Sequence, residues 1–351
     1  MLLSSHTAIK SLTQQLIDLT AFFAKNKMRL IVFLSSALVL MGTNQAAAEL
    51  NIEQSLAKQQ GIIFYNQLKA VSATPLLRVA AKAGDHEAQY YLAESLRQKN
   101  SYMNPEAEKW YEAAATQGDL YAMIQLGRDK NDLCKLANDC QTKEKKPSDW
   151  LNKAYSLAHP KAEDGNAEAM YIMYELTLDK TWLQKSAAKN HHISQYLLAT
   201  SFKQGDGFFL PWKRSEAVEK LFKASAEGGY PPSMMEYGAL LYEEGDREGF
   251  RHWNEQAALA GYATTVYGYG SDLAHEPDTY GFPFDIIKGY ALVFTLKELD
   301  GGGGLQARVE SKLLKIEAKM TADQITEGKQ LAKKWKSTHA PLSFFPDKLS
   351  Q

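Results

Sequence analysis

The sequence predicts an all-α fold: a right-handed α/α solenoid of about six to seven helix hairpins, preceded by a signal peptide. Three observations point there. Paired small residues, then Gly or Asn, then another small residue four positions later recur along the chain. The recurrences lie tens of residues apart, the span of one helix pair. Proline is sparse at 11 copies against 18 tyrosines, and 45% of the 351 residues are apolar, which suits packed helices rather than disorder.

The first element is an export signal. Lys25, Lys27 and Arg29 flank the start of an apolar run from Leu30 to Met41, and Ala46, Ala47 and Ala48 precede Glu49. The run is short for a bilayer span, and its flanks are those of a secretory signal cleaved near Ala48. An uncleaved anchor is the alternative, and Met1 and Met28 both stand as start sites. Residues 1–48 are thus expected to be extension and signal, 49–338 the solenoid, and 339–351 a tail. The expected location is periplasmic or secreted. The net charge of −1 gives no basic excess for nucleic acid or anionic lipid.

The repeat anchors come next: Gly84, Gly118, Gly165, Asn190, Gly229 and Gly261. Gly84 follows Ala80-Ala81 and precedes Ala88. Gly118 follows Ala114-Ala115 and precedes Ala122. Ser186-Ala187 and Ser194 flank Asn190, Ser225-Ala226 and Ser233 flank Gly229, and Ala257-Ala258 and Thr265 flank Gly261. Around Gly165 the pair is Lys161-Ala162. Each anchor is predicted to end a helix in the left-handed conformation, and the small residues to line the seams between helices. Trp110, Leu157, Trp182, Leu221 and Trp253, eight before their anchors, are expected to fill the wide end of each hairpin. Asn104-Pro105 and Thr321–Gln324 read as helix starts.

Two cysteines, Cys134 and Cys140, lie in an insertion between the second and third anchors. In an oxidising compartment they are expected to form a disulfide closing a small loop. An irregular superhelix is expected over about residues 130–190, and Gly301 to Gly304 should stretch a turn.

These anchors and small-residue pairs resemble the Sel-one-like repeat family, relatives of the tetratricopeptide α-solenoids, over roughly residues 75–338. The segments Phe284–Phe294 and Lys319–Trp335 resemble that family's last repeat and closing helix. The resemblance implies a protein-interaction scaffold.

Motifs for chemistry are weak. His191 and His192 are adjacent, point about 100° apart on a helix, and read as a helix start rather than a metal pair. Asp206 lacks the alternating oxygen ligands of a calcium loop. Gly301–Gly304 lacks the Lys-Ser/Thr of a phosphate loop, and Tyr267–Asp272 lacks Gly-x-Ser-x-Gly. Ser55–Lys58 and Ser186–Lys189 match Ser-x-x-Lys, and relatives have been linked to β-lactam binding, but Ser-Asp-Asn and Lys-Thr-Gly are absent. No metal or cofactor is expected.

Tyrosines recur on the first helix of successive units: Tyr90, Tyr91, Tyr121, Tyr171, Tyr174, Tyr196, Tyr237, Tyr242, Tyr267 and Tyr269. First helices line a solenoid's concave wall. Tyr237 and Tyr269 are expected in the seam. Tyr171, Tyr174, Tyr196, Tyr242, Tyr267 and, in the loop His275–Phe284, Tyr280 are the candidate partner-binding residues. The expected function is a non-enzymatic periplasmic module gripping another protein or an extended peptide, with an immunity or inhibitor role against a delivered effector as its sharper form. An envelope or host-interaction adaptor and a β-lactam-binding hydrolase are the rivals.

Overall fold

The computed structural model describes residues 49–128, 146–207, 210–299 and 304–349. Among them the helices are α1 (Ile52–Asn66), α2 (Ala70–Lys82), α3 (His86–Asn100), α4 (Pro105–Thr116), α5 (Leu120–Arg128) and α6 (Pro147–Glu163). There follow α7 (Ala167–Thr177), α8 (Lys180–Ala188), α9 (His192–Lys203), α10 (Pro211–Glu227), α11 (Pro231–Glu243) and α12 (Arg247–Leu259). The chain ends with α13 (Ala263–Leu273), α14 (Ile286–Thr295), a 3-10 turn (Leu296–Glu298), α15 (Leu305–Glu317) and α16 (Ala322–Thr338). Each helix packs mainly on its neighbours in sequence, and α16 closes on α14. This is the all-α solenoid of stacked hairpins that the repeat predicts. Cys134, Cys140 and Gly301 lie outside the described residues.

All six anchors are left-handed: φ is +96° at Gly84, +98° at Gly118, +90° at Gly165, +62° at Asn190, +87° at Gly229 and +83° at Gly261. Each closes the same hydrogen-bonded cap. At the first, Gly84 N donates to Ala81 O at 3.1 Å and Asp85 N to Ala80 O at 3.3 Å, satisfying carbonyls that the helix end leaves open. The residue after the anchor then caps the next helix. Asp85, Asp119 and Asn166 accept from the backbone N of Ala88, Ala122 and Ala169. His191 does the same for Ser194, as its position at a helix start predicts. Gly205 and Gly245 are further left-handed turns, at the other end of their hairpins, that the repeat pattern does not mark.

The small residues form the seams. Ala80, Ala88, Ala114, Ala115, Ala122, Ala162, Ser186, Ser194, Ser225, Ser233, Ala257 and Ala258 are fully buried. Backbone meets backbone closely between α13 and α14. A Cβ on Gly289 would stand 2.6 Å from Gly270 O, and one on Gly270 would stand 2.9 Å from Gly289 O. The serine pairs bond across the seam, Ser186 to Ser194 at 2.8 Å and Ser233 to Ser225 at 2.6 Å, so their hydroxyls are not left unpaired in the core.

The residues eight before the anchors sit at the margin of the core: Trp110, Trp182, Leu221 and Trp253 are half-buried and pack against it, and Leu157 is 39% exposed. The core itself takes the residue seven before the anchor in five units, Leu77, Tyr111, Ala158, Leu183 and Phe222, all buried, while the half-buried Asn254 holds that position in the sixth. Position −7 lies three and four residues from the small pair at −4 and −3, hence on the same helix face, whereas −8 is rotated about 100° away.

The segment after α16, set apart in the sequence as a tail, packs back onto the solenoid. Leu342 is buried in the core of the last helices and Leu349 in the core of the first ones. Ser343 N donates to Gly261 O and Phe344 N to Asn66 O, both at 2.9 Å. Two adjacent residues thus bond to the α12–α13 turn and to the α1–α2 turn, which places those turns within about 10 Å of each other. Gln67 also reaches Glu298 at 3.4 Å. The stack therefore bends far enough for its first hairpin to meet its last ones.

Candidate functional site

The inner wall is built from tyrosines on first helices. Tyr90 and Tyr91 on α3, Tyr121 on α5 and Tyr171 on α7 are placed by the repeat, and Tyr65 and Tyr111 pack among them edge to face. Centroids are 5.0 Å apart for Tyr65–Tyr91, 5.4 Å for Tyr90–Tyr91 and 6.0 Å for Tyr90–Tyr111 and Tyr90–Tyr121. Beneath them sits Glu94, 1% exposed. Its carboxylate accepts from Tyr111 at 2.6 Å, Gln125 at 2.7 Å, Arg97 at 2.9 Å and Tyr65 at 3.5 Å. A buried charge persists only with such pairing, and here it fixes side chains from α1, α3, α4 and α5 in one arrangement. Burial raises the Tyr90, Tyr121 and Tyr171 hydroxyls well above the phenol range, so they act as hydrogen-bond donors.

Against this wall lies a non-helical strap, residues 341–349. The Tyr90 hydroxyl donates to the Lys348 carbonyl, and Gln125 Nε2 reaches the same oxygen at 3.4 Å. The Lys348 ammonium stands 4.8 Å from the centroid of Tyr121 and 5.8 Å from that of Tyr91. The Tyr171 hydroxyl faces Asp347 Oδ1 at 3.5 Å, and Asp347 also accepts from Leu349 N at 2.9 Å. Five peptide steps from Ser343, bonded at the α12–α13 turn, to Lys348, bonded at α3, span at most about 18 Å. A wall reached at both ends by so short a segment is concave.

The wall continues past Tyr121, whose hydroxyl donates to Glu168. Glu168 also meets His191 Nε2 at 2.8 Å. Burial alone would raise the Glu168 carboxyl, but bonds to His191 and Tyr121, with the charges of His191 and Lys348, hold it below its usual range. His191 stacks on His192 at 5.7 Å, His192 meets Tyr230 at 5.4 Å, and Tyr230 meets Tyr196 at 5.3 Å. Tyr262 closes the row against Phe345 of the strap at 5.9 Å.

The sequence-predicted residues do not all converge here. Tyr171 reaches the strap but is itself buried at 1% exposure, so it presents a hydroxyl rather than a ring. Tyr196 packs on Tyr230 and Phe222. Tyr242 and Tyr280 pack with Phe250 in a separate cluster, with centroids 5.0–5.3 Å apart. Tyr267 lies under Arg308 and Lys312 of α15, in an open cavity of about 320 Å³. Tyr174 is half-buried at the far end of α7. Tyr237 and Tyr269 are buried, as expected of seam residues. The wall's main contributors, Tyr90, Tyr91 and Tyr121, carry the same repeat signal as the candidates. Glu94, Gln125 and the strap carry none, because a buried polar hub and an irregular segment have no period.

The Ser-x-x-Lys motifs are engaged elsewhere. Lys58 pairs with Glu87 at 2.8 Å and Asp85 at 2.9 Å. Burial lowers its pKa, but these bonds outweigh burial and raise it, so it is held as a cation rather than a base. Ser186 donates to Ala167 O at 2.7 Å inside a seam, and Lys189 is exposed. Among the described residues no group of three or more His, Cys, Asp or Glu is disposed to hold a metal, and no helix is long and apolar enough to cross a membrane.

Fold and site together define a repeat α-solenoid whose concave face holds a non-helical segment. No protein-family model and no curated protein matches the chain. Among solved structures it is similar to a protective antigen present in uropathogenic Escherichia coli strains displaying an SLR fold. Identity is 20%, TM-score 0.46, and the match covers 82% of this chain and 62% of that one, so the chain spans less than two thirds of that antigen. It is also similar to a Sel1 repeat protein from Oxalobacter formigenes, at 18% identity and TM-score 0.37, covering 84% of this chain and 99% of that one. A third is PilF of Pseudomonas aeruginosa, at 16% identity and TM-score 0.27, covering 74% of this chain and 97% of that one.

Proposed function

We propose that the chain is a non-enzymatic protein-binding module, exported to the periplasm or secreted, that holds a non-helical segment of another protein against the wall formed by α3, α5 and α7. The strap seated there by tyrosine hydroxyls, Gln125 and a buried leucine carries this proposal, because a non-helical segment of this chain already lies against the wall. Export is supported by the basic, apolar and small-residue pattern of residues 25–48. A scaffold of this kind suits occlusion of an effector delivered into the periplasm, an immunity role. An envelope or host-interaction adaptor would use the same wall.

Site-specific photocrosslinking in living cells tests the binding face. A photoreactive residue at Tyr230, on the inner row, is expected to trap a discrete partner, whereas one at the exposed Leu157 of α6 is not. Equal trapping at both positions, or none at Tyr230, contradicts the proposal. The immunity form predicts that cells lacking the protein die when neighbours deliver an effector and that restoring it rescues them. An envelope defect in cells grown alone supports the adaptor instead.

A further inference from the structure

We propose that this wall selects its partner by an acidic–basic–leucine triplet in a non-helical segment, and that Asp347, Lys348 and Leu349 hold the site until such a segment displaces them. The proposal rests on the protein-binding role above and names the chemistry of that partner.

Each residue of the triplet has its own place. The Asp347 carboxylate faces the Tyr171 hydroxyl and is turned there by its bond from Leu349 N. The Lys348 ammonium lies over two ring faces, whose negative quadrupoles attract a cation and repel an anion. Glu168, bonded to Tyr121, adds negative charge to that end of the wall. Leu349 is 4% exposed and belongs to the core of the first helices. Between them the Lys348 carbonyl takes two donors, Tyr90 and Gln125.

The receptor is pre-organised. Glu94 fixes Tyr111 and Gln125 whatever occupies the wall, since neither bond involves the strap. An incoming segment therefore finds the donors already aimed, which lowers the ordering cost of binding.

The strap's hold depends on tethering. Pro341 O packs against Gly261, where a Cβ would stand 2.4 Å away, and Ser343 bonds to Gly261 and Ala263 on the same turn. This clamp delivers the triplet at a high effective concentration, so its few contacts suffice. A partner carrying the same triplet and contacts of its own along Tyr262, Tyr230 and Tyr196 outcompetes it.

The test is fluorescence anisotropy with a labelled peptide spanning Ala340–Leu349. The intact chain is expected to bind it weakly. The variant Asp347→Ala/Lys348→Ala, with helical circular dichroism matching the parent, is expected to bind it at least tenfold more tightly. Replacing the peptide's lysine by glutamate should abolish binding, as should Tyr121→Ala in the protein. A second variant keeps every side chain and inserts a flexible glycine-serine linker after His339, lowering the strap's effective concentration. It too should bind the peptide at least tenfold more tightly than the parent. The proposal is overturned if neither folded variant exceeds the parent, or if the lysine and glutamate peptides bind alike. Crosslinking from Tyr230 that persists under those results would leave the protein-binding role standing and remove only the triplet and its displacement.

Discussion

The Tyr90 hydroxyl donates to the carbonyl of Lys348, 258 residues further along the chain. In a solenoid of nearest-neighbour contacts, so distant a bond requires a segment that leaves the stack and returns. The strap is that segment. It joins the first helices through Leu349 and the last through Leu342.

A comparison of two anchors isolates the strap. Gly229 and Gly261 are both left-handed, at φ +87° and +83°, but a Cβ meets nothing within 4 Å at Gly229 and the Pro341 carbonyl at 2.4 Å at Gly261. Gly229→Ala should cost about 1–2 kcal/mol, the left-handed penalty alone. Gly261→Ala should cost more by about 1–3 kcal/mol, from the clash with backbone. Urea denaturation of the two variants checks this, and equal losses would show the strap unseated.

Lys348 and Tyr121 should be energetically coupled. A double-mutant cycle with Lys348→Ala and Tyr121→Leu is expected to give about 0.5–2 kcal/mol of interaction energy. Additive losses would indicate that the ammonium does not rest on the ring.

The hub beneath the wall should be costly to empty. Glu94→Ala leaves the buried Tyr111 hydroxyl and Gln125 amide without their acceptor and the partly buried Arg97 without its carboxylate, and a loss of about 2–4 kcal/mol is expected in thermal or chemical unfolding. A loss below about 1 kcal/mol would contradict the hub.

Where α13 meets α14, Gly289→Ala pushes a methyl group into Gly270 O of α13 and Ala274 N at its C-terminal cap, backbone atoms that cannot rotate aside. The expected loss is about 1–3 kcal/mol. Gly268→Ala on the same α13, where a Cβ meets nothing within 4 Å, is the control and should be neutral or stabilising by under about 1 kcal/mol.

One pH effect follows from Asp272. Burial pushes its carboxyl up to about 7, with Lys312 and His275 pulling it down and Asp278 pushing it up. The folded chain therefore keeps a proton that the unfolded chain releases near pH 4. The associated stability is full below about pH 4, falls as pH rises to about 7, and is constant above. In melts from pH 4 to 8, the parent should lose melting temperature relative to Asp272→Asn across that window. Parallel profiles would refute the shift.

The fold was legible because its constraints are local and periodic. Gly84, Gly118 and their successors must be left-handed, and their alanine pairs must be small, so both leave fixed spacings. The residue at −7 was missed in favour of −8 because tryptophan is conspicuous, although helix geometry puts Tyr111 and Phe222, not Trp110 and Leu221, on the buried face. The site was half legible. The tyrosines of the first helices mark the wall, but periodicity does not separate Tyr121, which faces the strap, from Tyr267, which lies under α15. Asp347, Lys348 and Leu349 had no pattern to read: their placement depends on curvature accumulated over the whole stack.

The seated strap is tested most directly by amide hydrogen exchange on the intact chain. Ser343 N and Phe344 N donate to Gly261 O and Asn66 O, so both amides should be protected at least a hundredfold over an unstructured peptide and lose protection together in Gly261→Ala. Exchange of these two amides at free-peptide rates, with α3 and α13 still protected, would contradict the account.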